Sequence, residues 1–549
     1  MAMALGWNAG LTSPAQLAET RLAGLAADLA RSTRVDGEPL HRTLEELDQD
    51  FAALDPGCRR AIAERVLADW QASNAHADVA LKAFACQQAP GEATRDRLIA
   101  AIEKGRWSDR EENFLYWQLV RLAFLHPGLF TPEQGGLRLR QIYRRRVMAW
   151  RKKTATRCRW LAPRQRMERR LILVSQQFVN LWHAPTRDLV DYAEILAQLG
   201  YEVEIVISPE MPHELPLAFP QPFVARHSRK LDGRRPLTYK DRSFPFWQIE
   251  GDMPHGKGLS RFLHHVAERR PLAVIDIGGN GVAADLAGQI TTTLTLPLAA
   301  QPPITEATYI ATIGEEHVHG LGPAASRKAL DLGPQRFLPF RYTYRLPESR
   351  GEVPEALSRL PEEAVLGVVV GNRLDQEIAD DNLRLLLSCL EKAPGLHLVF
   401  TGTFRRFPEL ARQYPILAAR ATALGFQSDP VAILSRCHLY LNPRRAGGGS
   451  SVAHALGCGL PVITFADGDG AFAAGPAFTV HSPEDYLARA TLWAGDEAAR
   501  EEAAETARRR WAEISDRKAS MAALLDLLLA DDRLARPAPL FARKQAGRR

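Results

Sequence analysis

Apolar side chains recur at intervals of three and four positions through roughly the first 165 residues of the chain. Segments such as AQLAETRLAGLAADLARS and EENFLYWQLVRLAFL place these side chains along one face of a helix. Ser13-Pro14 and Asp109 are typical of helix starts, and Pro127-Gly128 is typical of a stop. No stretch in this part alternates as strands do. The pattern therefore predicts an all-helical N-terminal domain over residues 1–168.

The pattern changes at Leu171, where short apolar segments begin to alternate with amphipathic ones. LILVS, DLVDYAEILAQLG and YEVEIVIS indicate strand, helix and strand, which is typical of a parallel sheet. A second alternating set begins near Val365 with VLGVVVG, and the Pro- and Glu-rich segment before it indicates a hinge near Glu352. The sequence thus predicts an α/β fold with two Rossmann-like domains, at 169–350 and 351–549, the second ending in helix.

Composition agrees with a soluble globular protein, since 46% of the 549 residues are hydrophobic and 24% are charged. No apolar run approaches the ~20 residues that a membrane span needs. The first residues, MAMALGWNAGLTSPAQ, lack the charged and apolar regions of a signal peptide. The six cysteines are scattered, with no disulfide or zinc spacing. These features predict a cytoplasmic protein.

Positive charge is concentrated in one part of the chain, although the net charge is only +6. Twelve Lys or Arg residues and a single acid, Glu168, lie between Arg144 and Arg170. Such a stretch could contact a phospholipid surface at the membrane periphery. A solvated basic helix and linker is the favoured alternative, and no nucleic-acid partner is expected.

The segment from His438 to Gly470 carries the strongest chemical signal. A buried strand ends at Asn442-Pro443, and the glycines Gly447–Gly449 then lead into a helix that Ser450 and Ser451 open. Glycine lets the backbone approach a ligand closely, and the N-terminus of a helix favours an anion. The segment therefore indicates a diphosphate-binding turn, for which a plain strand-to-helix turn is the alternative.

The full string resembles the donor-site signature of GT-B glycosyltransferases, in the clan that includes family 4 transferases and glycogen synthase. The resemblance rests on Asn442-Pro443, on Gly447–Ser451 and on the string GLPVI at 459–463, and GNRLDQEI and LVFTGTF continue it upstream. It implies that a sugar moves from a nucleotide diphosphate sugar to an acceptor, without a metal or a further cofactor. A UDP-sugar is favoured over a GDP-sugar, and the acceptor is a protein or a polysaccharide or lipid-linked glycan.

The resemblance also assigns donor-binding residues, among which Arg373 and the amides of Gly448–Ser451 would neutralise the leaving diphosphate. One departure concerns two glutamates, eight positions apart, that many retaining members carry. Ala446 and His454 stand at those places, which leaves the stereochemical course open. The expected donor-binding residues are Gly371, Asn372, Arg373, Thr401, Gly402, Arg444, Gly447, Gly448, Gly449, Ser450, Ser451 and His454. Arg445 is a further candidate helper.

Two loops of the first Rossmann-like domain are candidates for the acceptor side. His183 follows the first strand, at the edge where doubly wound sheets bind ligands, and is the expected catalytic residue, as the base on the acceptor or as a contact to the donor sugar. A histidine that packs or caps the helix start is the alternative. The second loop contains Gly278, Gly279 and Gly281, and we favour an acceptor-side role for it over NAD binding.

Two acidic motifs bear on metal binding. Asp467-Gly-Asp469 is similar to a metal-binding DxD motif, and Glu315, Glu316, His317 and His319 form a cluster without ligand spacing, so no metal is expected. The alternative functions are a sugar-nucleotide 2-epimerase and a catalytically silent partner subunit. The helical domain is expected to present a macromolecular acceptor or a partner protein, unless it only covers apolar surface of the first Rossmann-like domain.

Overall fold

The computed structural model describes residues 13–31, 37–68, 70, 74–131, 135–154, 159–181, 183–212, 228–298, 303–313, 335–445 and 447–531. Within these residues, seven α-helices precede the first strand. They are α1 (Pro14–Arg31), α2 (Gly37–Ala52), α3 (Pro56–Ala68), α4 (Ala75–Gln88), α5 (Glu92–Lys104), α6 (Asp109–Leu125) and α7 (Leu137–Lys153). Helix α6 begins at Asp109 because Ser108 and Glu111 cap it reciprocally, each side chain accepting the backbone N–H of the other.

An eight-stranded sheet follows, in the order β3-β4-β2-β1-β5-β6-β7-β8, and only β3 is antiparallel to its neighbour. Its strands are β1 (Met167–Ser175), β2 (Glu202–Ile207), β3 (Gly233–Tyr239), β4 (Arg242–Gln248), β5 (Pro271–Ile277), β6 (Thr292–Leu296), β7 (Tyr309–Ile313) and β8 (Arg336–Phe340). Helices α8 (Ala184–Gln198), α9 (Gly256–Arg269) and α10 (Val282–Ala287) lie between them. The inner strands are buried on both faces, as in parallel sheets covered on each side.

The helical region and the first sheet share one hydrophobic core. Ile172, Val174, Val206 and Trp247 on one sheet face belong to the same apolar cluster as the buried side chains of α1–α7, α9 and α10. Polar contacts reinforce the junction, since the Tyr143 hydroxyl donates to Asp285 Oδ2 at 2.5 Å. The helices therefore cover apolar surface of the sheet. This was the alternative to the prediction that they present a macromolecular acceptor or a partner protein.

A second sheet contains six parallel strands in the order β11-β10-β9-β12-β13-β14. They are β9 (Val365–Val370), β10 (Leu396–Thr401), β11 (Ala421–Ala423), β12 (Leu439–Asn442), β13 (Val462–Phe465) and β14 (Thr479–Val480). The helices of this half are α11 (Glu355–Ser358), α12 (Leu374–Glu377), α13 (Asp380–Lys392), α14 (Phe407–Gln413), α15 (Pro415–Arg420), α16 (Pro430–Leu434), α17 (Gly449–Gly457), α18 (Asp469–Ala474), α19 (Pro483–Gly495), α20 (Glu497–Ser515) and α21 (Arg517–Leu529).

The chain passes between the two sheets twice. Residues 341–354 form the first crossing, and the Asp429 carboxylate fixes it by accepting hydrogen bonds from Ser349 Oγ at 2.9 Å and from the Arg350 N–H at 2.6 Å. Helix α21 forms the return, where Arg517 Nη1 lies 2.6 Å from Asp191 Oδ2 on α8. The prediction of a helical region followed by two parallel sheets is confirmed.

Several cations of the basic stretch at 144–170 pair with acids of neighbouring elements. Arg166 is buried, where it donates to Thr292 Oγ1 at 2.8 Å. Three ion pairs hold other cations: Arg144–Glu306 at 3.0 Å, Arg145–Glu103 at 2.7 Å and Arg170–Glu202 at 2.6 Å. These contacts engage several of the cations within the protein, while Arg164 is exposed. Among the described helices, none combines the length and the apolar character that crossing a bilayer requires.

Candidate functional site

The glycine turn lies at the carboxyl edge of the second sheet, between β12 and α17. Gly448 adopts φ +102°, a left-handed conformation that favours glycine. A Cβ at Gly448 would lie 2.9 Å from Arg445 Nε, and one at Gly449 would lie 2.9 Å from the Asp469 carbonyl oxygen. The turn therefore requires glycine both for its conformation and for its packing.

The first turn of α17 presents backbone N–H groups without intrahelical acceptors, as every helix N-terminus does. The Ser451 hydroxyl does not cap these N–H groups. It donates instead to the Gly448 carbonyl at 3.0 Å and accepts from the Tyr440 hydroxyl at 2.8 Å. Ser450, the residue beside it, is half-buried. The positive end of the helix is thus available to an anion.

Arg445 lies beneath this turn. Its buried guanidinium donates from Nε to Asn442 Oδ1 at 2.7 Å and from Nη2 to the Tyr440 hydroxyl at 3.1 Å. Its Nη1 lies 2.9 Å from Glu377 Oε2. These three contacts hold the Arg445 side chain in place, so that it supports the turn from below. Arg445 therefore has a structural role, in contrast to the more exposed Arg373.

Arg373 lies beside the turn and reaches solvent, with 39% of its side chain exposed. Its Nη2 is 3.2 Å from Glu377 Oε1 and 3.8 Å from the place that a Cβ of Gly447 would take. Glu377 therefore bridges Arg373 and Arg445. The structure brings together the arginine and the glycine turn that the sequence assigned to one site.

The ends of β9 and β10 form the floor of this region. Gly402 adopts φ +117°, and a Cβ there would lie 1.9 Å from the Gly371 carbonyl oxygen, so the close approach of the two strand ends requires glycine at position 402. The Thr401 hydroxyl is buried and has no hydrogen-bond partner in the described part of the chain. Asn372 is exposed at the same edge.

Arg444 projects from the other side of the turn and is largely exposed. Its guanidinium lies over the Phe465 ring, 4.5 Å from the ring centre, and 4.0 Å from Asp467 Oδ2. Asp467 of the DxD-like string therefore faces a cation. No group of three or more His, Cys, Asp or Glu side chains among the described residues could hold a metal ion. Ala446 and the cluster Glu315, Glu316, His317 and His319 lie outside those residues.

His454 is buried on α17, where the two sheets meet. The backbone of Arg345, in the first crossing, lies near its imidazole, and Arg187 of α8 is close enough to act on its charge. Burial, with a smaller contribution from Arg187, lowers the pKa of His454 to about 4. The imidazole is therefore neutral near pH 7, and it lies at the junction between the two halves.

His183 precedes α8 at the carboxyl edge of the first sheet. Its Nδ1 lies 2.9 Å from Thr186 Oγ1, and its backbone N–H donates to Asn180 Oδ1 at 3.0 Å. Burial lowers the pKa of its imidazole. In the described part of the chain, His183 forms hydrogen bonds within its own loop and with the start of α8. These contacts agree with the alternative that the histidine packs the start of the helix.

Polar residues that the sequence did not single out lie at the point where the strand order reverses between β1 and β5. Gln176 Nε2 donates to Asp276 Oδ1 at 3.1 Å and to the Gly279 carbonyl at 2.8 Å. Burial, together with the charges of Asp285 and Glu210, raises the pKa of Asp276 well above its usual range. A polar residue directly after an apolar strand was the signal that could have identified Gln176.

No family model matches the sequence, and no curated protein is similar to it. Solved structures are similar in fold. A mutant of the O-GlcNAc transferase of Thermobaculum terrenum is 16% identical with a TM-score of 0.53, over 96% of this chain and 99% of that one. WaaG, a glycosyltransferase of lipopolysaccharide biosynthesis, is 14% identical with a TM-score of 0.42, over 66% and 100%. The pneumococcal O-GlcNAc transferase GtfA is 9% identical with a TM-score of 0.42, over 67% and 99%. The first likeness shows that the chain has the GT-B fold.

Proposed function

We propose that the chain is a glycosyltransferase that moves a sugar from a nucleotide diphosphate sugar to an acceptor. One observation carries the proposal: Arg373, the glycine turn and the open N-terminus of α17 meet at the carboxyl edge of one sheet. A guanidinium and a helix N-terminus are the groups that recognise a diphosphate. The named activity of the Thermobaculum terrenum protein, with which the chain shares its fold, agrees with this reaction.

Departure of the diphosphate is the step that these residues would assist. When the bond between the anomeric carbon and the diphosphate oxygen breaks, both electrons stay on the oxygen, and negative charge grows there. Arg373 and the N–H groups of Gly449–Ser451 would neutralise that charge in place, which is the electrostatic contribution that usually dominates such catalysis. Gly371, Asn372, Thr401, Gly402 and Arg444 would complete the walls of the donor site.

The acceptor proton needs a base on the opposite side of the cleft. His183 is the proposed base, since burial keeps its imidazole neutral and able to accept a proton. His454 would contact the nucleotide ribose through its neutral imidazole. Movement about residues 341–354 would close the cleft and exclude water, so that the acceptor is favoured over hydrolysis.

In this proposal residues 351–549 form the donor half, residues 169–350 the acceptor half, and residues 1–168 a helical domain. A UDP-sugar carrying a hexose is the favoured donor of a cytoplasmic, family 4-like enzyme. A cavity of about 400 Å³ lies between α6, α7 and the loops after β2 and β4, with Phe114, Trp150 and Met211 among its lining residues. It offers the helical domain a place to recognise a macromolecular acceptor or a partner protein. Arg164, which is exposed, would belong to any contact with a membrane surface.

The experiment incubates the full chain with UDP-, GDP- and ADP-sugars and quantifies the free nucleoside diphosphate and the sugar product. We expect release of the nucleoside diphosphate from at least one donor. A 2-epimerase would instead convert the donor sugar to its epimer. Nucleotide binding without any turnover would identify a silent subunit, and absence of both binding and turnover would contradict the proposal.

A further inference from the structure

The helical region contacts the candidate donor site at the end of α6. Phe124, in the last turn of α6, has its ring centre 5.6 Å from the guanidinium carbon of Arg373. A cation at this distance from an aromatic face is attracted by the ring quadrupole. Phe124 lies about 250 positions before Arg373 in the chain, so the fold has placed a helix end from outside both sheets beside the glycine turn.

A second arginine, Arg121, lies on the same helix as Phe124. Arg121 lies three positions before Phe124, and residues at this spacing share one face of a helix. Its side chain is half-buried, and no hydrogen bond or ion pair holds its guanidinium within the described chain. Burial lowers the pKa of Arg121, while Asp48 opposes this effect and the positive charge of Arg373 adds to it. Since arginine stays protonated in proteins, two cations face one another here.

The acids in this place do not balance the cations. Glu377 is the carboxylate that pairs with Arg373, and its other oxygen is occupied by Arg445. One carboxylate thus serves two arginines, and Arg121 adds a third cation. Asp48 acts on Arg121 and offsets one of these charges, so one positive charge remains in excess beside the N-terminus of α17. Like charges held together at a partly buried place are unfavourable unless an anion joins them.

We propose that Arg121 and Arg373 together bind the diphosphate of the donor nucleotide, so that the helical region completes the donor site. This inference rests on the proposed function and adds a binding residue to it. The sequence placed every donor-binding residue at or after Gly371, and Arg121 lies far outside that range. Binding of the donor would then also stabilise the contact between α6 and the second sheet, because the diphosphate would contact residues of both.

The test compares Arg121→Ala with the wild-type full chain by calorimetric titration with UDP, GDP, ADP and uridine. We expect Arg121→Ala to weaken binding of the preferred nucleoside diphosphate by about 10- to 100-fold, the loss expected when a hydrogen bond to a charged group is removed. Uridine has no diphosphate, so any affinity for it stays unchanged. Arg121→Lys keeps the charge and should recover part of the loss.

Arg65→Ala is the matched control, since Arg65 lies on α3 of the same region and pairs at the surface with Glu19. It should bind UDP as the wild type does, and the thermal unfolding of each variant shows whether the fold is intact. Wild-type affinity of a folded Arg121→Ala for the preferred nucleoside diphosphate would overturn the inference and leave the proposed function standing. A wild-type chain that binds none of UDP, GDP and ADP would overturn both.

Discussion

Arg445 Nη1 lies 2.9 Å from Glu377 Oε2, beneath the glycine turn that opens α17. Both side chains are withdrawn from solvent, so the pair fixes the end of β12 against α12. Removing one member of a buried ion pair strands the other charge, which typically costs more than the pair itself contributes.

We therefore expect Arg445→Met to lower the free energy of unfolding by about 3 kcal/mol, because it removes a buried cation and leaves Glu377 with Arg373 alone. Urea unfolding followed by circular dichroism measures the loss. Replacing both residues, in Arg445→Met with Glu377→Gln, should restore part of the stability. Wild-type stability of the single variant would show that this pair does not hold the turn.

Arg373→Ala should reduce kcat/KM for the donor sugar by roughly 30- to 1000-fold, which corresponds to about 2–4 kcal/mol of lost stabilisation of the leaving diphosphate. Steady-state release of the nucleoside diphosphate provides the measurement. Arg384→Ala is the matched control, since Arg384 lies on the exposed side of α13 and pairs with Asp381. Equal rates for the two variants would remove Arg373 from the donor site.

Chelation should leave turnover intact, because Arg373 and a helix N-terminus supply the positive charge that the diphosphate requires. Initial rates measured before and after dialysis against EDTA test this expectation. Loss of activity that Mn²⁺ restores would assign Asp467 and Asp469 to a metal and contradict the metal-independent mechanism. Asp467→Asn would then abolish that restoration.

His454 should make the protein less stable as the pH falls. Its pKa is about 4 in the folded chain, whereas an unfolded histidine titrates near ~6.5. Between these values the unfolded state binds a proton that the folded state does not, so the free energy of unfolding decreases from pH 7 to pH 4. The decrease due to this group is about 3 kcal/mol.

His454→Gln should remove that part of the pH dependence, measured by urea unfolding at pH 7 and at pH 4. The comparison with wild type matters because Asp276 and Glu210, whose pKa values are raised by burial, act in the opposite direction. His264→Gln, on the exposed side of α9, is the matched substitution. An unchanged slope in His454→Gln would show that the imidazole is not held neutral by its surroundings.

The features that could be predicted from the sequence are those that depend on residues close to one another along the chain. Periodicity separated the helical region from the two sheets, and Gly447–Gly449 marked the turn because the glycine requirement is local. Arg445 and His454 were harder to interpret, since their partners, Glu377 and Arg345, lie 68 and 109 positions away in the chain. Arg121 gave no signal, because a lone cation in an amphipathic helix has the same pattern as a solvent-facing one.

A crystal structure of the full chain with UDP tests the account most directly. We predict diphosphate oxygens within hydrogen-bonding distance of the N–H groups of Gly449–Ser451 and of the Arg373 guanidinium. A diphosphate bound instead at the Gly278–Gly281 loop of the first sheet, with the turn before α17 empty, would contradict the central claim that the second sheet holds the donor.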